Sequence, residues 1–506
     1  MDKNTKNNKP KIKFVQKLIL SIDQGTTSSR SILFTLKGKK IFSSQYEFKQ
    51  LFPNPGWVEH NPEEIWKTTL KTIKEAIKKS KSLRAKIISI GITNQRETTI
   101  LWDKITGKPV YNAIVWQDRR TLSICQNLKK RKLENSFRKK TGLFIDPYFS
   151  ATKVKWIFDN ISKAKKIHKD KNLMFGTIDT YLIWKLTNKK NHLTDATNAS
   201  RTLMFNINTN KWDNEILRRL NIPKSILPEV KNSADYFGKT SKKIVGEEIP
   251  INAVLGDQQA AAVGQACFDK GSVKSTYGTG AFVMMNTGNK KILSKNKLLT
   301  TICYRIKNKN TYALEGSIFI AGAGVQWLRD KIKLINNAYE TEKIAKSKTS
   351  NGRIYIVPAF TGLGAPYWNA NARGTISGIT RDTDWKDIVR AVIESVAYQS
   401  YDLFRAMNND GLKPKIIKID GGMVSNNWFA QFLSDILDVK VIRPAISETT
   451  ALGVALIAGY QIGLYNSFHS ISKKWKIDRN FSPKMSKKQR IELLKGWQQA
   501  IKRTLV

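Results

Sequence analysis

The sequence predicts an α/β fold built twice, and three observations predict it. Two β-turn-β units with Gly/Thr-rich turns, at residues 22–30 and 271–285, stand about 250 residues apart, a weak internal repeat. Apolar strand-like runs alternate with segments of helical spacing. Polar clusters follow several of those runs directly, and ligands bind beyond the carboxyl ends of strands in open α/β sheets.

In the first unit, Leu18, Ile19, Leu20 and Ile22 precede the turn and Ile32, Leu33 and Phe34 follow it. The turn holds Asp23, Gly25, the hydroxyl residues Thr26, Thr27, Ser28 and Ser29, and Arg30. Gly25 lets successive N–H groups face one side, a concavity suited to an anion. The hydroxyls and the Arg30 guanidinium suit phosphate. A carboxylate beside such a cradle makes sense if a hard cation such as Mg²⁺ stands between them, which points Asp23 at the metal. The plain alternative is a polar hairpin turn closed by an Asx bond.

Asn61-Pro62-Glu63-Glu64 starts a helix, with a cap, a proline and first-turn acids, and Trp66, Leu70, Ile73 and Ile77 mark its face. A strand over 86–93 ends in Asn94-Gln95-Arg96-Glu97, which reads either as a surface ion pair or as a site. Residues 112–120 repeat that junction, with Trp116 as core or pocket wall. Tyr148 lies in a loop leading to a helix around Lys153 and Trp156. Its hydroxyl either faces a cleft or is buried with a partner. A further helix is expected over 175–186.

Residues 251–255 read as a strand, and Gly256-Asp257-Gln258-Gln259 opens a helix. Asp257 is placed as an N-cap or, alternatively, as a catalytic carboxylate at a helix start. The second β-turn-β unit follows at once, with Thr279 in its turn and Phe282 on its second strand. Two matching phosphate loops suggest a duplicated domain with nucleotide phosphates clamped between the halves. The boundary falls near 256–264, giving a basic disordered tail at 1–13, an N-terminal domain at 14–262 and a C-terminal domain at 263–506. Later come a glycine-rich helix entrance at 321–328, a long helix capped by Asp384 and carrying Trp385, Ile388, Val389, Val392 and Val396, and a strand ending in Asp420-Gly421-Gly422. Asn426 opens the next helix and could hydrogen-bond a flat ligand. The last helix, over 487–503, uses Ile491, Leu494, Trp497 and Ile501.

The 506 residues carry a formal charge of +47. Nucleic-acid binding would explain it. But the lysines are spread along the chain, as on a solvated face, and this argues against such a partner. A positive field would still draw in a nucleotide. No run of about 18 apolar residues indicates a membrane span. The N-terminus lacks the features of a signal or transit peptide. Three isolated cysteines suggest a reducing compartment, and four scattered histidines argue against a His-ligated metal.

Seven motifs in combination resemble those of the sugar/polyol kinase family, in the actin, hexokinase and heat-shock-chaperone ATPase superfamily. They are Asp23-Gln24-Gly25-Thr26-Thr27-Ser28-Ser29-Arg30, Asn94-Gln95-Arg96-Glu97-Thr98, Trp116-Gln117, Asp146-Pro147-Tyr148-Phe149-Ser150, Gly256-Asp257-Gln258-Gln259, Thr276-Tyr277-Gly278-Thr279-Gly280 and Asp420-Gly421-Gly422. Within that family the pattern is most similar to members that phosphorylate glycerol. The resemblance runs from Lys17 to the last helix, and residues 148–160 and 374–394 resemble the family's two signatures.

The resemblance implies two duplicated ribonuclease H-like (actin-like ATPase) domains with a cleft between them. It implies transfer of the ATP γ-phosphoryl group to glycerol, in a cytoplasmic homodimer or homotetramer. By the same carry-over, Asp257 is the general base, and Arg96, Glu97, Tyr148, Asp257 and Gln258 hydrogen-bond glycerol. Trp116 and Phe282 pack on its carbon edge. Thr26, Thr27, Ser28 and Arg30 hold phosphates with Thr279, Gly322 and Gln326. Gly422 and Asn426 meet the adenosine, and Asp23 orients Mg²⁺ through water. Residues 237–249 lack the Gly-Gly-Thr-Arg loop of members inhibited by fructose 1,6-bisphosphate, so that control is not expected. The alternative substrate within the family is another polyol or a ketose.

Overall fold

The structure, a computed structural model, describes residues 16–369 and 371–505. The tail expected over 1–13 lies outside the described residues. The first half runs β1 (Gln16–Gln24), β2 (Ser28–Thr35), β3 (Lys40–Glu47), α1 (Pro62–Ser82) and β4 (Ala85–Asn94), and returns with β5 (Ile251–Gly256). Helix α2 (Asp257–Gly264) leads out of it. The second half begins with β6 (Val273–Tyr277), β7 (Ala281–Gly288), β8 (Leu299–Ile306) and β9 (Lys309–Ile318). Then come α3 (Gly322–Asp330), α4 (Trp385–Asn409), β10 (Ile416–Asp420), α5 (Asn427–Leu437), β11 (Lys440–Pro444), α6 (Thr449–Gln461), β12 (Ile477–Phe481) and α7 (Lys487–Thr504).

The duplication is visible in the sheets. The first has the order β5-β4-β1-β2-β3 and the second β8-β9-β7-β6-β10-β11-β12. In the first, β1 pairs antiparallel with β2 and parallel with β4, and β4 pairs parallel with β5. In the second, β6 pairs antiparallel with β7 and parallel with β10, and β10 pairs parallel with β11. Five strands therefore repeat in order and direction, with β8 and β12 added at the edges. The central strands β1, β4 and β5 read as continuous apolar runs because helices cover both faces.

Local signals set most elements. Asn61 caps α1 by accepting from the Glu63 N–H, and Asp384 caps α4 in a reciprocal box with Asp387. The faces differ from the expected stripes in places. On α1 the buried line is Ile65, Thr69, Thr72, Ile73 and Ala76, with Trp66 and Leu70 half-buried beside it. Trp385 and Ile491 are exposed. Residues 173–176 form a strand paired with 100–103, so the helix expected from 175 begins at Ile178.

The halves meet along two helices. α6, from the second half, packs on β1, β4 and β5 of the first sheet and along α2. Small residues allow this approach. A Cβ on Gly453 would overlap the carbonyl oxygen of Ala260, and one on Gly264 would overlap that of Thr449. Gly453→Ala is expected to force these helices apart at a cost of about 1–3 kcal/mol, read by urea unfolding. An unchanged midpoint would contradict this account of the contact.

Candidate active site

Three parallel strands end on one line. Asp23 and Leu255 both lie opposite Thr93, and Gln24 and Gly256 both lie opposite Asn94. The residues that follow each strand, 25–27, 95–97 and 257–258, are thereby delivered beyond the same carboxyl edge.

The first turn is tied down by its carbonyls. Gln24 and Gln95 donate their amide N–H groups to the Gly25 carbonyl at 2.8 and 3.0 Å, and the Gly25 N–H donates to Ser28 at 2.9 Å. The Trp116 indole donates to Thr26 Oγ1 at 3.0 Å. Arg30 lies between two carboxylates, Asp23 and Glu448, each at 2.5 Å. Ser29 departs from the expectation. Strand alternation turns it to α1, where it is fully buried and bonded to Thr68 and Thr69, so it is no part of the cradle.

Behind the turn is a buried lattice of charge. Arg96 donates to both oxygens of Glu315, at 2.6 and 2.9 Å, and its Nε lies 3.2 Å from Asp257. Arg201 bonds Glu97 at 2.6 Å and reaches Glu315 at 3.1 Å. Burial opposes the charge on Glu315, but Arg201 and Arg96 outweigh it and bring its carboxyl down to about 2. Burial pushes Glu97 the other way, upward, against Arg201 and Arg96. Glu97 also holds a left-handed backbone, φ 61°, which a residue with this side chain rarely adopts without constraint. Glu315 comes from β9 of the second half, so the lattice crosses between the halves.

Trp116, Tyr148 and Phe282 make an aromatic corner beside it. Trp116 lies edge-on to Tyr148 and Phe282, at 5.7 and 5.9 Å between centroids. Arg96 lies 5.9 Å from the Phe282 ring and Arg201 5.4 Å from that of Tyr148. Thr26, Trp116 and Phe282 therefore connect the two hairpins across one crevice.

Asp257 is not the N-cap. Gly256 occupies that position without a side-chain bond, and Asp257 is the first helical residue of α2. Its Oδ1 accepts from the Gln258 N–H at 2.7 Å and faces Arg96. The side chain remains 29 % exposed. Its pKa is raised above 3.8, because burial outweighs the opposing pull of Arg96 and then Lys274. A Cβ on Gly256 would press on Arg96, so a glycine before the acid leaves room for the guanidinium.

The second hairpin borders a cavity of about 490 Å³ lined by Thr279, Gly322, Gln326, Gly422 and Asn426, among others. Its turn is held by α3: the Gly322 N–H donates to Gly278, and those of Ala321 and Ala323 donate to Thr279. A Cβ on Gly322 would meet the Gly278 carbonyl. The Asn426 side chain is already engaged, capping α5 through the Phe429 N–H and donating to Thr341. Arg329, Tyr339 and Glu342 also line this cavity and were not anticipated.

Among the described residues no three His, Cys, Asp or Glu side chains are grouped to hold a metal. Asp23, paired through Oδ2 with Arg30 beside the first turn, is a lone carboxylate of the kind that suits a cation keeping most of its water, as Mg²⁺ does. No helix among the described residues is long and apolar enough to cross a membrane. Arg201, Lys274 and Glu315 were missed from the sequence. Glu315 follows Ala313 and Leu314 within a strand, which was the available signal for it; Lys274, among Ser275 and Thr276, gave none.

Residues 18–264 match the N-terminal domain of the FGGY family of carbohydrate kinases, and residues 273–462 match its C-terminal domain. The chain is 54 % identical over 490 residues to the glycerol kinase of Petrotoga mobilis, covering 97 % of this chain and 98 % of that one. The crystal structure of Plasmodium falciparum glycerol kinase with ADP superposes with a TM-score of 0.90 at 40 % identity, covering 97 % of this chain and 99 % of the other. A xylulose kinase from Lactobacillus acidophilus, at 23 % identity and a TM-score of 0.85 over 96 % of this chain and 97 % of that one, shares the fold.

Proposed function

The chain belongs to the FGGY family of carbohydrate kinases, and we propose on that premise that it transfers the γ-phosphoryl group of ATP to a terminal hydroxyl of glycerol, giving sn-glycerol 3-phosphate. Similarity over nearly the whole chain to glycerol kinases supports the substrate. The observation that carries the reading is the crevice itself. A partly exposed acid, two buried guanidinium groups and three aromatic rings meet beside two phosphate-type turns.

The roles are those the family resemblance implies, and the geometry supports them. Asp257 is the general base for the attacking hydroxyl, within about 3 Å of it. Arg96, Glu97, Tyr148 and Gln258 orient glycerol, with Trp116 and Phe282 against its carbon edge. A small triol offers little apolar area, so several polar partners must fix it at once. Thr26, Thr27, Ser28 and Arg30 hold the phosphates from one side, and Thr279, Gly322 and Gln326 from the other. Gly422 and Asn426 line the adenosine end. Arg30 would exchange one of its two carboxylates for phosphate. Mg²⁺, held by Asp23 through water, would neutralise phosphate charge when bound. Residues 14–262 form the glycerol and phosphate half and 263–506 the nucleotide half. The α2–α6 contact is the hinge on which they close to exclude water.

The test is ADP release by the purified protein with glycerol, erythritol and xylulose. Glycerol is expected to give the highest kcat/KM. The aromatic corner and the buried Arg96–Glu315 pair offer contacts matched to a short triol, so the longer ketose should lose by tenfold or more, roughly the worth of one misplaced polar group. Preference for xylulose would overturn the assignment within the family.

A further inference from the structure

The second hairpin carries a lysine that none of the roles above uses. Lys274 lies on β6 with its side chain fully buried, where an ammonium must be paired. Its Nζ donates to Gln258 Oε1 and, at 3.1 Å, to Thr276 Oγ1. The charged groups around it are Asp420 on β10, Glu315 on β9, Arg96 after β4 and Asp257 at the start of α2. An ammonium donates and cannot accept. The Gln258 amide must therefore turn its oxygen to Lys274, which aims its Nε2 the other way, toward Asp257 and the place where the substrate hydroxyl must sit.

We propose that Lys274 is a positioning residue of the transfer site: it locks the Gln258 amide so that Nε2 donates to the substrate, and it ties the helix that begins at Asp257 to the second phosphate hairpin. This rests on the kinase reading above. The chemistry asks for such a lock. A hydroxyl that gives its one proton to Asp257 can only accept from its other neighbours. A freely rotating amide would present its oxygen there part of the time, and that contact would be repulsive. Lys274 removes the wrong rotamer before substrate arrives, which is preorganisation of a donor.

A second consequence concerns Asp257. Of the charged groups that face it, Arg96 and Lys274 favour its ionised form. Loss of Lys274 must therefore raise the pKa of the base. The base works deprotonated, so the acid limb of kcat/KM must move to higher pH.

The experiment is a double-mutant cycle of Lys274→Met and Gln258→Leu, read as kcat/KM for glycerol across pH. Lys274→Met is expected to lower kcat/KM by at least about tenfold, the loss of one charge-assisted hydrogen bond. The acid limb should shift upward, and the same substitution should cost little once Gln258 is Leu. Additive costs, or an unmoved acid limb in a folded variant, would overturn the proposal. Should Lys274→Met unfold, Gln258→Glu serves instead. It keeps an acceptor for Lys274 but offers only acceptors to the substrate. The same loss of kcat/KM is expected, and wild-type kcat/KM would overturn the lock. A wild-type protein without glycerol-dependent ADP release would instead sink the functional reading, which separates the two failures.

Discussion

Asp257→Asn is expected to lower kcat by about 10²- to 10⁴-fold, the usual worth of a positioned general base, while ATP binding stays unchanged. The substitution keeps the shape of the side chain and removes its ability to take a proton. Asp257 is not among the residues lining the 490 Å³ cavity, so nucleotide affinity measured by calorimetry should not move. The fold should survive, because Arg96 keeps both oxygens of Glu315 when it loses Asp257. The pH dependence supplies a second signature. Burial holds the Asp257 carboxyl above its ordinary value of 3.8, so the wild-type acid limb should lie above that value. In Asp257→Asn that limb should vanish. A variant with near-normal turnover would show that the hydroxyl needs no base here, and that charge stabilisation by the phosphate-side donors is the whole of catalysis.

What was legible in the sequence was what rests on neighbours in the chain. Asn61-Pro62, Asp384 and both Gly/Thr turns announce themselves within a few residues, and each element appears where expected. The misreadings have physical causes. The strand over 173–176 has four residues, and its partner lies some 70 residues earlier, so the helical pattern beginning at 178 swallowed it. Ser29 was counted with its hydroxyl neighbours, although a strand sends alternate side chains to opposite faces. Arg201, Lys274 and Glu315 belong to no local pattern. They meet Glu97, Gln258 and Arg96 across 104, 16 and 219 residues of chain, and a single sequence does not record which buried charges will meet.

The other large effect is expected at Glu315, the acid that joins Arg96 to Arg201. Glu315→Gln keeps the shape of the side chain but leaves two buried guanidinium groups without their shared anion. Removing one partner of a buried ion pair typically costs about 3–5 kcal/mol, far more than the pair contributes relative to an apolar replacement. Arg96 retains Asp257 and Arg201 retains Glu97, so the protein should fold with a much lower unfolding midpoint. Its glycerol KM should rise, because Arg96 can then swing toward Asp257 and out of position. Acidification should separate the lattice's two carboxyls. Glu315 lies at about 2 in the fold against an ordinary 4.5, so its stabilisation is complete above 4.5 and is lost as pH falls from there toward about 2. Glu97 is shifted upward, so its charge weakens the fold as pH rises through and above 4.5. Glu315→Gln should therefore flatten the stability profile below 4.5 and, because the Glu315 charge helps to raise Glu97, also weaken the limb above it. An unfolding midpoint within about 1 kcal/mol of wild type, the range of an ordinary exposed pair, would mean that the lattice does not hold the halves together.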